Sequence, residues 1–120
     1  MDTAGSARIL IVDDEPDIQE VMGELLTELG YDVATASSGD EALRAVADNA
    51  YDLVISDLRM PGFSGAALAD ELVRCRPALA NRIVLITGDV TAPVERVPII
   101  HKPFSLDSVV SVVKQQLAVA

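Results

Sequence analysis

"VISDLRMPGFSG", residues Val54 to Gly65, carries an apolar, β-branched run into a carboxylate and then straight into a Met-Pro-Gly turn. Val54 and Ile55 read as part of a buried strand. Asp57 stands at the end of that strand. A charge there is costly unless a proton, a cation or a metal meets it. The Pro-Gly pair breaks the extended run at once. What else reaches this strand end decides both the fold and the chemistry.

Upstream, "RILIV" (Arg8 to Val12) is a continuous apolar run of the kind found in strands buried on both faces. The next segment spaces Ile18, Val21, Met22, Leu25, Leu26 and Leu29 at three- and four-residue steps, a helical stripe. Pro16 suits its first turn and Gly30 its stop. "YDVATA" reads as a second strand. Ser38 with Glu41 forms a capping box for a helix through about Asp48. "DLVIS" (Asp52 to Ser56) is the third strand. Beyond the Pro-Gly turn, Ser64 can cap a helix carrying Leu68, Leu72 and Cys75. "RIVLI" (Arg82 to Ile86) is a fourth strand and "VPII" near Ile100 a short fifth. From Ser105, the stripe Leu106, Val109, Val110, Val113 and Leu117 predicts a last helix. Valine is a mediocre helix former, so packing must help hold it.

Strands alternating with helices predict an α/β fold with a parallel sheet covered on both faces. Ligands in such sheets sit outside the carboxyl ends of the strands. Those ends carry Asp13 and Asp14, Asp57, Thr87 and Gly88, and Lys102.

The chain has 120 residues, half of them hydrophobic, which predicts one domain over residues 1–120 with a core at about 8–118. No run is apolar enough to span a membrane, and "MDTAGSA" lacks the regions of a signal peptide. A cytoplasmic protein without membrane insertion is expected. A single cysteine, Cys75, allows no internal disulfide and is expected as a structural thiol on a helix. The formal charge of -10 argues against direct binding to nucleic acid, whose phosphates would be repelled.

If the first and third strands are adjacent, Asp13, Asp14 and Asp57 converge. Two unit charges about 4 Å apart repel by roughly 4 kcal/mol at an effective dielectric near 20. Three such carboxylates require a proton, a cationic side chain or a metal, and hard oxygen ligands with open positions suit Mg2+. The plainer reading, that Asp13 and Asp14 only cap the first helix, explains one carboxylate but not two facing a third. Lys102 would add an ammonium, Thr87 a hydroxyl and Gly88 a backbone N–H at the same edge. Those groups suit a phosphoryl group on Asp57, with Asp57 as the nucleophile.

"LIVDDEPD", "VISDLRMPGFSG", "LITGD" and "HKPF", in this order, resemble the receiver domain of two-component response regulators over about Arg8 to Leu117. The resemblance implies a flavodoxin-like, doubly wound five-stranded parallel sheet of order 2-1-3-4-5. It implies Asp57 as phosphoacceptor, with Asp13 and Asp14 as the acid pocket for Mg2+ and the Arg59 backbone carbonyl as a further ligand. Thr87 matches the switch hydroxyl and Lys102 the lysine of the pattern. Arg59, Gly88 and Asp89 match positions that flank the phosphoryl and govern access of water. The implied partner is a histidine kinase or a histidine phosphotransfer protein. Such a chain is no turnover enzyme beyond its own phosphorylation and dephosphorylation. A non-phosphorylated pseudo-receiver acting as a binding module is the alternative. A haloacid-dehalogenase-type phosphotransferase would need an acid where Arg59 stands, and a flavin binder would meet repulsion from "DDEPD".

Two departures stand out. Ile99 occupies a position that is usually aromatic in receivers. The stretch between Thr87 and Lys102 is short, with prolines at 93 and 98, so a fourth crossover helix is expected to be shortened or absent. That counts against the usual receiver dimer face. It points instead to switching through residues 88–97 and to partner contact there or on the first helix. No effector domain follows Ala120 in this sequence, so output through protein contact is expected. The chain is then a stand-alone receiver or the receiver part of a hybrid kinase or larger regulator.

Overall fold

The computed structural model describes residues 7–57, 59–60, 63–80, 82–87, 99–101 and 105–118. In chain order these give β1 (Arg8–Val12), α1 (Pro16–Glu28), β2 (Asp32–Ala36), α2 (Gly39–Asp48), β3 (Leu53–Asp57), and the two-residue strands β4 (Arg59–Met60) and β5 (Phe63–Ser64). They continue with α3 (Gly65–Cys75), a 3-10 turn (Pro77–Leu79), β6 (Ile83–Thr87), β7 (Ile99–His101) and α4 (Leu106–Ala118). One parallel sheet has the order β2-β1-β3-β6-β7; β4 and β5 form a separate antiparallel pair. Counted in chain order among themselves, the strands of the larger sheet run 2-1-3-4-5. The antiparallel β4–β5 pair was not among the strands that the sequence predicts.

Alternation along the strands builds a core on each face of the sheet. Leu10, Val12, Val54 and Leu85 point to one side, where Ala42 and Val46 of α2 and Leu68 and Leu72 of α3 cover them. Ile9, Ile11, Leu53, Ile55, Val84 and Ile86 point to the other, under Met22 and Leu26 of α1 and Val109 and Val113 of α4. The valine-rich last helix is thus held by a fully buried pair one turn apart. Cys75 departs from expectation: it is exposed. It is the last residue of α3, and Leu79 on the following turn is buried.

Helix ends follow their sequence signals. Pro16 opens α1. At its other end the Tyr31 N–H donates to the Leu26 carbonyl at 3.1 Å and the Gly30 N–H to Thr27 at 3.0 Å, with Gly30 at φ +96°. This is a Schellman stop, in which a left-handed residue reverses the chain. At α2 the Ser38 hydroxyl accepts the Glu41 N–H at 3.2 Å, while the Glu41 carboxylate accepts the N–H of Ser37, one residue earlier than in the standard box. The C-terminal end of α2 is met by Arg76, whose Nε donates to the Val46 carbonyl at 2.7 Å.

The segment expected to hold a shortened fourth helix, residues 88–97, lies outside the described residues, as do Lys102 and Pro103.

Candidate functional site

Register explains why the carboxylates meet. Val12 pairs with Ser56 across β1 and β3, so Asp13 and Asp57 are the next residues at the same edge. Asp57 pairs with Ile86, which places Thr87 one residue further along the neighbouring strand. Thr87 in turn pairs with His101, the residue before Lys102. Asp13, Asp57 and Thr87 thus fall on one edge of one sheet.

Asp13 is fully buried and Asp57 is 6% exposed, whereas Asp14 and Glu15 face solvent. One carboxylate oxygen from each of Asp13, Asp14, Glu15 and Asp57 can be chosen so that all four lie within 4.8 Å of one another. Local bonds shape this group. The Glu15 N–H donates to Asp13 Oδ1 at 2.8 Å, and the Asp13 N–H donates to the Ala36 carbonyl at 3.0 Å. Beneath Asp57, the Ser56 hydroxyl donates to the Asp57 carbonyl at 3.0 Å. Glu15 is the N-cap of α1 but makes no side-chain capping bond.

The donor set is all carboxylate oxygen, partly open to water. That composition fits Mg2+, which favours hard oxygen ligands and keeps several waters. Asp13 and Asp57 are the buried members of the group, and Asp14 and Glu15 the exposed ones.

Of the sequence-predicted residues, Asp13, Asp14 and Asp57 come together. Thr87 ends β6 at the same edge, and Arg59 opens β4 two residues after Asp57. Gly88, Asp89 and Lys102 lie outside the described residues. Glu15 was missed. Its signal was present as the third consecutive acid of "DDE", but it reads more simply as the start of a helix.

The sequence profile of the response regulator receiver domain matches residues 9–114. The chain is 40% identical over 84 residues to the transcriptional regulatory protein GlrR of Escherichia coli, covering 70% of this chain and 19% of that protein. It is 33% identical over 113 residues to the DNA-binding transcriptional regulator NtrC of Klebsiella pneumoniae, covering 90% of this chain and 24% of that protein. The chain therefore spans a quarter or less of the length of these relatives. Among solved structures, the response regulator TrrA of Thermotoga maritima, determined as a complex with Mg(2+)-BeF, superposes with a TM-score of 0.81 at 36% identity, covering 92% of this chain and 98% of that one. Among the described residues no helix is long and apolar enough to cross a membrane. The chain belongs to the response regulator receiver domain family.

Proposed function

We propose that this domain is a phosphoacceptor in a two-component phosphorelay, taking a phosphoryl group onto Asp57 from a phospho-histidine donor. The observation that carries the reading is the convergence of the Asp13, Asp14 and Asp57 carboxylates at the carboxyl edge of the sheet. An Asp57 oxygen attacks phosphorus. The phosphorus–nitrogen bond to the donor imidazole breaks, and its electron pair stays with that nitrogen. A water later cleaves the acyl phosphate and restores the carboxylate.

Asp13, Asp14 and Asp57, with the Arg59 carbonyl, would hold Mg2+. When bound, the ion offsets the charge of the attacking carboxylate and the phosphate oxygens. The sheet register brings the backbone positions of Asp13 and Asp57 together before the donor arrives. Lys102 and Thr87 are assigned to the phosphoryl oxygens, and Arg59, Gly88 and Asp89 to the access of water. The domain acts as a switch rather than a turnover enzyme. Its partners are a histidine kinase or a histidine phosphotransfer protein, and its output is a changed protein contact in the cytoplasm. The presence of each acidic, hydroxyl and lysine position favours this over a pseudo-receiver.

The test is direct. Incubate the protein with acetyl phosphate or beryllofluoride and Mg2+, then map the adduct by mass spectrometry and NMR. One adduct at Asp57, lost in Asp57→Asn and on chelation of the metal, is the expected result. Adduct that survives Asp57→Asn, or none in the wild type, overturns it.

A further inference from the structure

We infer that Gln19 is a positioning residue for the acidic pocket, holding the Asp13 backbone, and through it the Asp13 carboxylate, in place from α1. The inference rests on the reading of Asp57 as a metal-assisted phosphoacceptor.

Gln19 Nε2 lies 2.6 Å from the Asp13 carbonyl oxygen, 3.2 Å from the Ala36 carbonyl oxygen and 3.1 Å from Ser37 Oγ. Both carbonyls are obligate acceptors, so the nitrogen and not the oxygen of the amide must face them. An amide nitrogen carries two hydrogens, and the short contact to Asp13 takes the better share. The Ala36 carbonyl also accepts the Asp13 N–H at 3.0 Å. Gln19 therefore closes a ring: the Asp13 N–H reaches Ala36, and Gln19 reaches both Ala36 and the Asp13 carbonyl. The carboxyl ends of β1 and β2 and the first turn of α1 are joined at one side chain.

Asp13 is the buried member of the pocket whose main chain has just left the sheet. Its carbonyl accepts from Gln19 Nε2 one residue beyond Val12, where β1 ends. Rotation of the peptide after Asp13 would draw the Glu15 N–H away from Oδ1 and release the carboxylate from the bond that orients it. Gln19 opposes that rotation. Its half-buried side chain turns toward the strand ends, whereas the following residue, Glu20, is exposed. Outer partners of this kind orient metal ligands without touching the metal, and their loss lowers metal affinity by about 10- to 100-fold.

The experiment is a double-mutant cycle read by Mg2+ titration, with backbone amide shifts as the signal. Gln19→Met keeps length and helix propensity but removes the donors. It is expected to weaken Mg2+ binding about tenfold. In an Asp13→Asn background the same change should alter affinity by less than about twofold, because the carboxylate it positions is gone. A merely structural role lowers the melting temperature but leaves the two affinity effects equal. If Gln19→Met does not fold, Gln19→Asn, whose amide falls one methylene short, serves in the same cycle. Equal losses in both backgrounds, or unchanged affinity in Gln19→Met beside a wild type that binds Mg2+ and beryllofluoride, overturn the inference alone. A wild type that binds neither removes the phosphoacceptor reading and this inference with it.

Discussion

Asp13 and Asp57 stand one residue beyond the Val12–Ser56 pair, at the carboxyl ends of adjacent parallel strands, and both are buried. Their closeness suits a cation, in keeping with the Mg2+ site proposed above. Their repulsion is held in place by the apolar register below them, in which Ile9 to Val12 pair with Leu53 to Ser56. The apolar pairing below thus brings the two carboxylates close at the carboxyl edge of the sheet.

Removing one of these charges should stabilise the resting protein. Asp57→Asn keeps the side-chain shape and the Ser56 hydroxyl bond to the residue 57 carbonyl. The variant is expected to gain on the order of 1 kcal/mol in urea denaturation without metal. A clear loss of stability would show that cationic partners already outweigh the repulsion. Mg2+ should raise the wild-type melting temperature and leave the variant's much less changed.

A second expectation lies far from the site and tests the fold alone. Gly30 stops α1 at φ +96°, and a Cβ placed there meets nothing within 4 Å. Gly30→Ala therefore costs backbone strain rather than a clash, about 1 kcal/mol. Mg2+ affinity should not move. Loss of metal binding at unchanged stability would contradict this separation.

Several of these features were legible before any coordinates. Continuous apolar strands alternating with helical stripes pointed to a parallel sheet covered on both faces. Pro16, Gly30 and Ser38 marked helix ends through chemistry local to each residue. Asp13, Asp14 and Asp57 were legible because a strand end is a place in the sequence as well as in space. Glu15 and Gln19 were not. Glu15 looks like any acidic residue at a helix start, and its nearness to Asp57 is a contact between segments more than 40 positions apart. Gln19 looks like a solvated helical residue, because the two carbonyls it reaches exist only once β1 and β2 are paired. The β4–β5 pair was hidden by its length, since two-residue strands carry no periodicity.

Lys102 follows the last residue of β7, which is in register with Thr87 at the edge that carries Asp57. The sequence reading assigns its ammonium to the phosphoryl oxygens. Lys102→Ala is therefore expected to bind Mg2+ at least as tightly as wild type, having lost a competing cation. Its beryllofluoride-induced amide shifts should shrink severalfold, since a charge-assisted contact is gone. Comparing ¹⁵N spectra with and without beryllofluoride in excess Mg2+ checks both halves. Unchanged shifts at residues 83–87 would remove Lys102 from the switch.

Glu15 gives the sharpest test of how the rim of the pocket works. Its carboxylate can approach those of Asp13, Asp14 and Asp57 within 4.8 Å, yet it is exposed and its backbone is committed to starting α1. Two roles are distinguishable. As a ligand, Glu15 would contribute a short-range bond that salt hardly affects. As a rim charge, it would attract the cation through water, and that attraction weakens as the Debye length falls from about 10 Å at 0.1 M salt to about 3 Å at 1 M. Its exposure, against the burial of Asp13 and Asp57, favours the rim charge. Glu15→Gln should then lower Mg2+ affinity about fivefold at low ionic strength and less than about twofold at 1 M salt. Asp14→Asn should lose about tenfold or more at both, as expected of a residue that binds the ion. Titrations of the three proteins at the two salt concentrations decide the matter. A Glu15→Gln deficit that persists undiminished at 1 M would make Glu15 a direct ligand instead.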